Sequence, residues 1–229
     1  MTKKPSTQPR KPTRIWNPEH ATDEDQSVGT PEGNLVSKEL SLPLATPAAT
    51  AWLRAVGIVL AGSAFVALCA RLSIPLYFTP VPLTLSPFAV LLLGLVLSPR
   101  LAAATLGAYL AEGALGLPVF APSPIPAAGL AHLLGPTGGY LLCYPLAAAL
   151  ISFLWRRTRR GFAAALVSAA IGDLVILVCG ALWLAVLTHA SAQSILTLAV
   201  LPFLPGDALK IAAAAALAAG VQRLRRRNP

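Results

Sequence analysis

Between residues 161 and 188 the chain runs for 28 residues with a single charged side chain, Asp173. As a helix rising about 1.5 Å per residue, such a run outreaches the roughly 30 Å hydrocarbon core of a bilayer. It recurs in weaker form along the chain. Residues 52–71, 84–97, 101–117, 139–155 and 201–222 are also apolar. Together the six segments predict an all-α, polytopic membrane protein, a six-transmembrane-helix bundle. The second segment is short, and Pro87 lies near its start, so neighbouring helices must shield its ends. Charge agrees with this reading. Only 12% of residues are charged, against roughly 25% in soluble domains.

Residues 1–50 differ in kind. They hold seven prolines, six Lys/Arg and six Asp/Glu, with little hydrophobic periodicity. Such a segment buries too little apolar surface to offset its ordering entropy, which predicts a disordered tail ahead of a membrane domain at 51–229. No secretory signal is read there, because the first apolar run begins only near residue 51.

The net charge of +9 falls on the membrane domain, which has twelve Lys/Arg and three Asp/Glu. A basic chain of this size invites a nucleic-acid reading. Here, however, the cations punctuate apolar runs. Arg54, Arg100, the Arg156, Arg157, Arg159 and Arg160 cluster, and Arg223, Arg225, Arg226 and Arg227 fall on one set of connections, and only Arg71 on the other. That ten-to-one bias predicts cytoplasmic termini, in agreement with an even number of spans.

The opposite connections, 72–83 and 117–138, are rich in Pro and aliphatic residues and nearly free of charge. Proline fixes φ and lowers the entropy cost of ordering, so these segments suit lids packed over a bundle end, with or without a ligand beneath.

Ionisable groups inside spans cost about 2.5–3.5 kcal/mol each to insert and are functional candidates by default. Asp207 and Lys210, three residues apart, share one helix face behind Pro202, Pro205 and Gly206. Their spacing suits either a neutralised pair that pins helix register or a polar floor for a ligand with hydrogen-bonding and anionic groups. Glu112, near the outer end of the third segment, stands between a loop partner and a ligand role. Asp173 stands between the Arg156–Arg160 cluster and a ligand. Cys69, Cys143 and Cys179 read as small buried hydrophobes, and His132 and His189 as isolated histidines without a metal-binding pattern. Catalytic and phosphate-loop signatures are absent, so no enzyme and no ATPase motor is expected in this chain.

Four stretches resemble the BioY family in order and spacing: F-T-P-V-P-L-T-L at 78–85, G-A-Y-L-A-E-G-A-L-G-L-P-V-F-A at 107–121, L-L-G-P-T-G-G-Y at 133–140 and L-P-F-L-P-G-D-A-L-K at 201–210. The resemblance covers about residues 55–222. It implies a biotin-binding S component of an energy-coupling-factor (ECF) transporter in the cytoplasmic membrane. The implied partners are a coupling protein and two ATPase subunits, with no cofactor. Carried over residue by residue, it implies biotin contacts from Asp207 and Lys210, close approach at Gly139 and Tyr140, and a lid formed by Val81, Pro82 and Thr84. Where the family commonly has Gln-Thr after T-L, this chain has Ser86-Pro87, so a glutamine contact is missing. Two other classes stay open on the residues alone. One is an S component for a different vitamin. The other is an intramembrane enzyme using Glu112 or Asp207 as an acid or base.

Overall fold

The computed structural model describes residues 47–76, 78–122 and 128–227. The predicted tail at 1–50 lies almost wholly outside them, as do parts of both outer connections. The described chain is helical, with one short antiparallel ribbon. Its helices are α1 (Pro47–Arg71), α2 (Ser86–Val96), α3 (Pro99–Ala114), α4 (Leu130–Leu133), α5 (Gly138–Arg156), α6 (Phe162–Thr188), α7 (Ala192–Ile195) and α8 (Leu204–Arg227).

Among the described residues, four helical stretches are long and apolar enough to cross a membrane: Thr50–Arg71, Gly138–Arg156, Phe162–Thr188 and Leu204–Leu224. Of the six expected segments, the second and third make shorter helices. At 11 and 16 residues, α2 and α3 reach only about 16 and 24 Å. Proline sets where both begin. Pro87 and Pro99 occupy the first turns of α2 and α3, where a missing N–H costs nothing. The hydroxyl of Ser98 caps α3 by accepting from the Leu101 amide at 3.4 Å. The carbonyl of Leu97, left over at the end of α2, accepts the Ser152 hydroxyl of α5 at 2.6 Å.

The helices turn their few polar and small residues inward, among buried aliphatic and aromatic ones, and their outer faces are aliphatic. On α6 the buried side is Ala165, Ser168, Ala169, Gly172, Asp173, Ile176, Leu177, Gly180 and Leu184, a stripe at helical spacing. Leu174, Val178, Leu182 and Val186 point outward and are exposed. Lipid tails are as apolar as leucine, so burial of leucine drives little; close backbone packing takes its place. At Gly139 of α5 an added Cβ would lie 2.1 Å from Trp183 Cβ and 2.8 Å from the Cys179 carbonyl of α6. At Gly172 and Gly180 of α6 it would lie 2.2 Å from Ile151 and Tyr140 of α5. Three glycines thus bring α5 and α6 together.

The core has two parts. Around one end, Leu91, Leu95, Ile151, Trp155, Ala165 and Ala214 pack together. Around the other, Tyr109, Phe120, Tyr140, Tyr144, Leu177 and Phe203 do so. The first outer connection, expected as an irregular lid, folds into a ribbon. β1 (Ser73–Ile74) pairs antiparallel with β2 (Leu83–Thr84), with Ser73 opposite Thr84. The second is drawn in by Phe120. Its ring occupies the space a Cβ on Gly113 would need. The Arg71 guanidinium also donates to the Pro118 carbonyl.

The last expected span, 201–222, is extended at its start by α7 and a π-helical turn, Leu196–Val200. The cause is local. Pro202 and Pro205 have no N–H to give to the preceding turn. The Leu201 amide reaches back five residues to Leu196 at 3.0 Å, and Phe203 bonds Val200 at 3.0 Å. The Ala199 carbonyl is thereby freed from the regular ladder.

Candidate functional site

A partly open cavity lies among the aromatic part of the core. It sits where α1 and α3 end and α5 and α8 begin. The ribbon supplies Val81, Pro82 and Thr84; α2 supplies Ser86 and Pro87; α3 supplies Tyr109. Tyr140 and Tyr144 come from α5, Asp173 and Ile176 from α6, and Asp207 and Lys210 from α8.

The polar side is compact. Lys210 Nζ lies 2.9 Å from Asp207 Oδ1, and both residues are buried, at 8% and 4% exposure. Asp173, also buried, is close enough to interact electrostatically with both. Two carboxylates and one ammonium therefore face a single cavity, with acceptor capacity to spare and one charged donor. The rest is apolar or aromatic.

The walls are held from behind. The Tyr140 hydroxyl donates to the Ala199 carbonyl at 2.8 Å, using the acceptor freed by the π-helical turn. Phe120 stacks on His132 at 4.9 Å and meets Tyr109 edge-on at 5.4 Å. The Trp183 indole donates to the Gly135 carbonyl at 2.9 Å, anchoring the turn before α5. Leu83 of the ribbon rests over Gly206 at the start of α8. Tyr140→Phe should lower thermal stability by about 1–3 kcal/mol, because the Ala199 carbonyl loses its donor in a buried place. Melting the purified variant in detergent checks this; an unchanged midpoint refutes the bracing role.

Of the residues singled out in the sequence, the fold gathers Asp207, Lys210, Asp173, Tyr140, Thr84, Val81 and Pro82 around the cavity. Asp173 turns inward to this cluster, whereas Arg156 at the other end donates to Ser152 at 3.3 Å. Two expected site residues lie elsewhere. Gly139 faces Trp183 and Cys179 of α6, where its small size serves helix packing, and it does not line the cavity. Glu112 accepts from the Ser63 hydroxyl of α1 and lies in a separate shallow groove with Arg71 and Val119. Tyr109, Tyr144, Phe203 and His132 line the cavity without having been singled out for it. Tyr144 had one readable signal, its place four residues after Tyr140 on the same helix face. Ser86 and Pro87, which depart from the family pattern, also line the cavity. Among the described residues no three His, Cys, Asp or Glu side chains are grouped to hold a metal ion.

Membrane-length helices around a partly open pocket, with a charged side and apolar walls, define a multi-pass membrane protein built to bind a small molecule. The chain belongs to the BioY family, whose model matches residues 39–227. It is 41% identical over 143 residues to the probable biotin transporter BioY of Pyrococcus horikoshii, covering 62% of this chain and 82% of that protein. It is 35% identical to the biotin transporter BioY of Thermotoga maritima, over 71% of this chain and 92% of that one. The crystal structure of the S component for biotin from an ECF-type ABC transporter superposes with a TM-score of 0.69. That match is 26% identical and covers 76% of this chain and 93% of the other.

Proposed function

We propose that this chain is the biotin-binding, substrate-specificity subunit of a vitamin uptake transporter, and not an enzyme. It captures biotin from the extracytoplasmic side for import. The observation that carries this is the buried Lys210–Asp207 pair, joined by Asp173, beneath the apolar ribbon and the Phe120 segment. Biotin has a compact bicyclic ring with ureido N–H donors and a C=O acceptor, and a valerate tail ending in a carboxylate. The carboxylates of Asp173 and Asp207 suit the N–H donors, and the ammonium of Lys210 suits an acceptor or anion. Tyr109, Tyr140, Tyr144 and Phe203 give the apolar walls that small-molecule sites use for most of their contact. Val81, Pro82 and Thr84 act as the lid over it.

In the same reading α2 and α3 complete six spans, shielded by their longer neighbours, in the cytoplasmic membrane with both termini inside. The arginines at 156–160 and 223–227 then face the cytoplasm, and the cavity opens to the opposite side. A coupling protein and two ATPase subunits supply the energy. Titration calorimetry of the detergent-purified chain with biotin tests the ligand. Saturable 1:1 heat is expected, undiminished by thiamin or riboflavin. Competition by either vitamin, with no heat from biotin, would move the chain to another vitamin.

A further inference from the structure

By sequence the three cysteines are small buried hydrophobes, but the fold pairs two of them. Cys143 of α5 and Cys179 of α6 place their sulfurs 3.1 Å apart across the helix interface, although 36 residues separate them in the chain. We propose that they form a dithiol site, oxidised reversibly to an inter-helix disulfide by a membrane-permeant two-electron acceptor of the quinone or diazene class.

Three observations support it. The sulfurs lie only about 1 Å beyond the 2.03–2.05 Å of a disulfide bond, a gap that small χ rotations can close. The helices behind them approach closely, since Gly139 and Gly180 meet Trp183 and Tyr140 across the same interface. Cys143 is buried while Cys179 is partly exposed. An apolar oxidant arriving from the membrane therefore reaches Cys179 first, with Cys143 held behind it as the resolving thiol. Cys69, on α1, is the third free cysteine and stands apart from this pair.

The chemistry balances. Cys179 sulfur bonds to the acceptor, which takes up one proton. Cys143 sulfur then attacks Cys179 sulfur, the S–S bond forms, and the bond to the acceptor breaks. The acceptor leaves in its dihydro form with both protons and both electrons. The product ties α5 to α6 beside Tyr140 and Tyr144. The pairing itself does not depend on which ligand the cavity takes.

The test treats the folded, full-length protein in detergent with diamide, removes the excess, unfolds it and alkylates with a maleimide before intact-mass measurement. One adduct per chain is expected instead of three, with dithiothreitol restoring three. Cys179→Ser and Cys143→Ser should each show two adducts before and after treatment, so the check stands on whichever variant folds. Three adducts persisting in the treated wild-type chain would overturn the proposal. So would loss of thiols only through disulfide-linked dimers on a non-reducing gel.

Discussion

Lys210→Ala is expected to weaken biotin binding at least tenfold, which corresponds to about 1.4 kcal/mol or more. Lys210 is the only Lys or Arg among the described residues lining the cavity. Its removal leaves Asp207 without its ion-pair partner and takes the ammonium away from the neighbourhood of Asp173. Two effects then add: the ligand loses a charged donor, and the site itself is left with an uncompensated buried charge. Breaking one side of a buried pair destabilises by about 3–5 kcal/mol in soluble proteins, so folding must be measured alongside affinity. Asp207→Asn breaks the same pair from its other side. It keeps shape and a hydrogen-bonding group while removing the charge, and it too should lose at least tenfold. Glu112→Gln is the control. Its side chain bonds Ser63 outside the cavity, so biotin affinity should stay within about twofold. If titration calorimetry finds full affinity in both Lys210→Ala and Asp207→Asn, the assignment of the polar floor fails.

The second large effect is structural. Gly139→Ala adds one methyl group at a point where it would meet the Trp183 Cβ at 2.1 Å and the Cys179 carbonyl at 2.8 Å. Neither neighbour is the free end of a flexible side chain. Relief requires α5 and α6 to separate, which also disturbs Tyr140 and the indole bond from Trp183 to Gly135. Overpacking of this kind costs about 1–3 kcal/mol, occasionally more. A drop of several degrees in the detergent melting midpoint is expected, with weaker biotin binding following from the displaced wall. Gly107→Ala is the matched comparison, because nothing lies within 4 Å of the added carbon there, and it should melt like the parent. Equal midpoints for the two variants would show that α5 and α6 are not limited by backbone contact.

How far the site was readable depends on the kind of signal. Asp207 and Lys210 stand out because an acid and an amine in an apolar helix are costly, and a spacing of three puts them on one face whatever the tertiary fold. Asp173 has the same cost, but its partner could not be read. Two clusters of opposite sign were available in the sequence, the arginines at 156–160 and Lys210, and the rotation of α6 decides between them. Glu112 shows the same limit from the other side. Its charge marks it, but only the packing of α3 on α1 turns it toward Ser63. Tyr109, Phe203 and His132 carry no local mark, since aromatics near a membrane interface are expected without any ligand. The two cysteines are the extreme case. Their relation exists only between helices.

Hydrophobic run length, basic punctuation and proline position determined the helical membrane class, the approximate spans and the costly polar pair. These are properties of consecutive residues, and burial in lipid acts on them directly. Tertiary structure alone decided which face of each helix turns inward, that Gly139 packs a helix and Glu112 a neighbour, that Tyr140 reaches the Ala199 carbonyl, and that two thiols meet. Those outcomes depend on how separate helices rotate and approach, and in a bilayer close van der Waals fit sets that, with little help from the hydrophobic pattern.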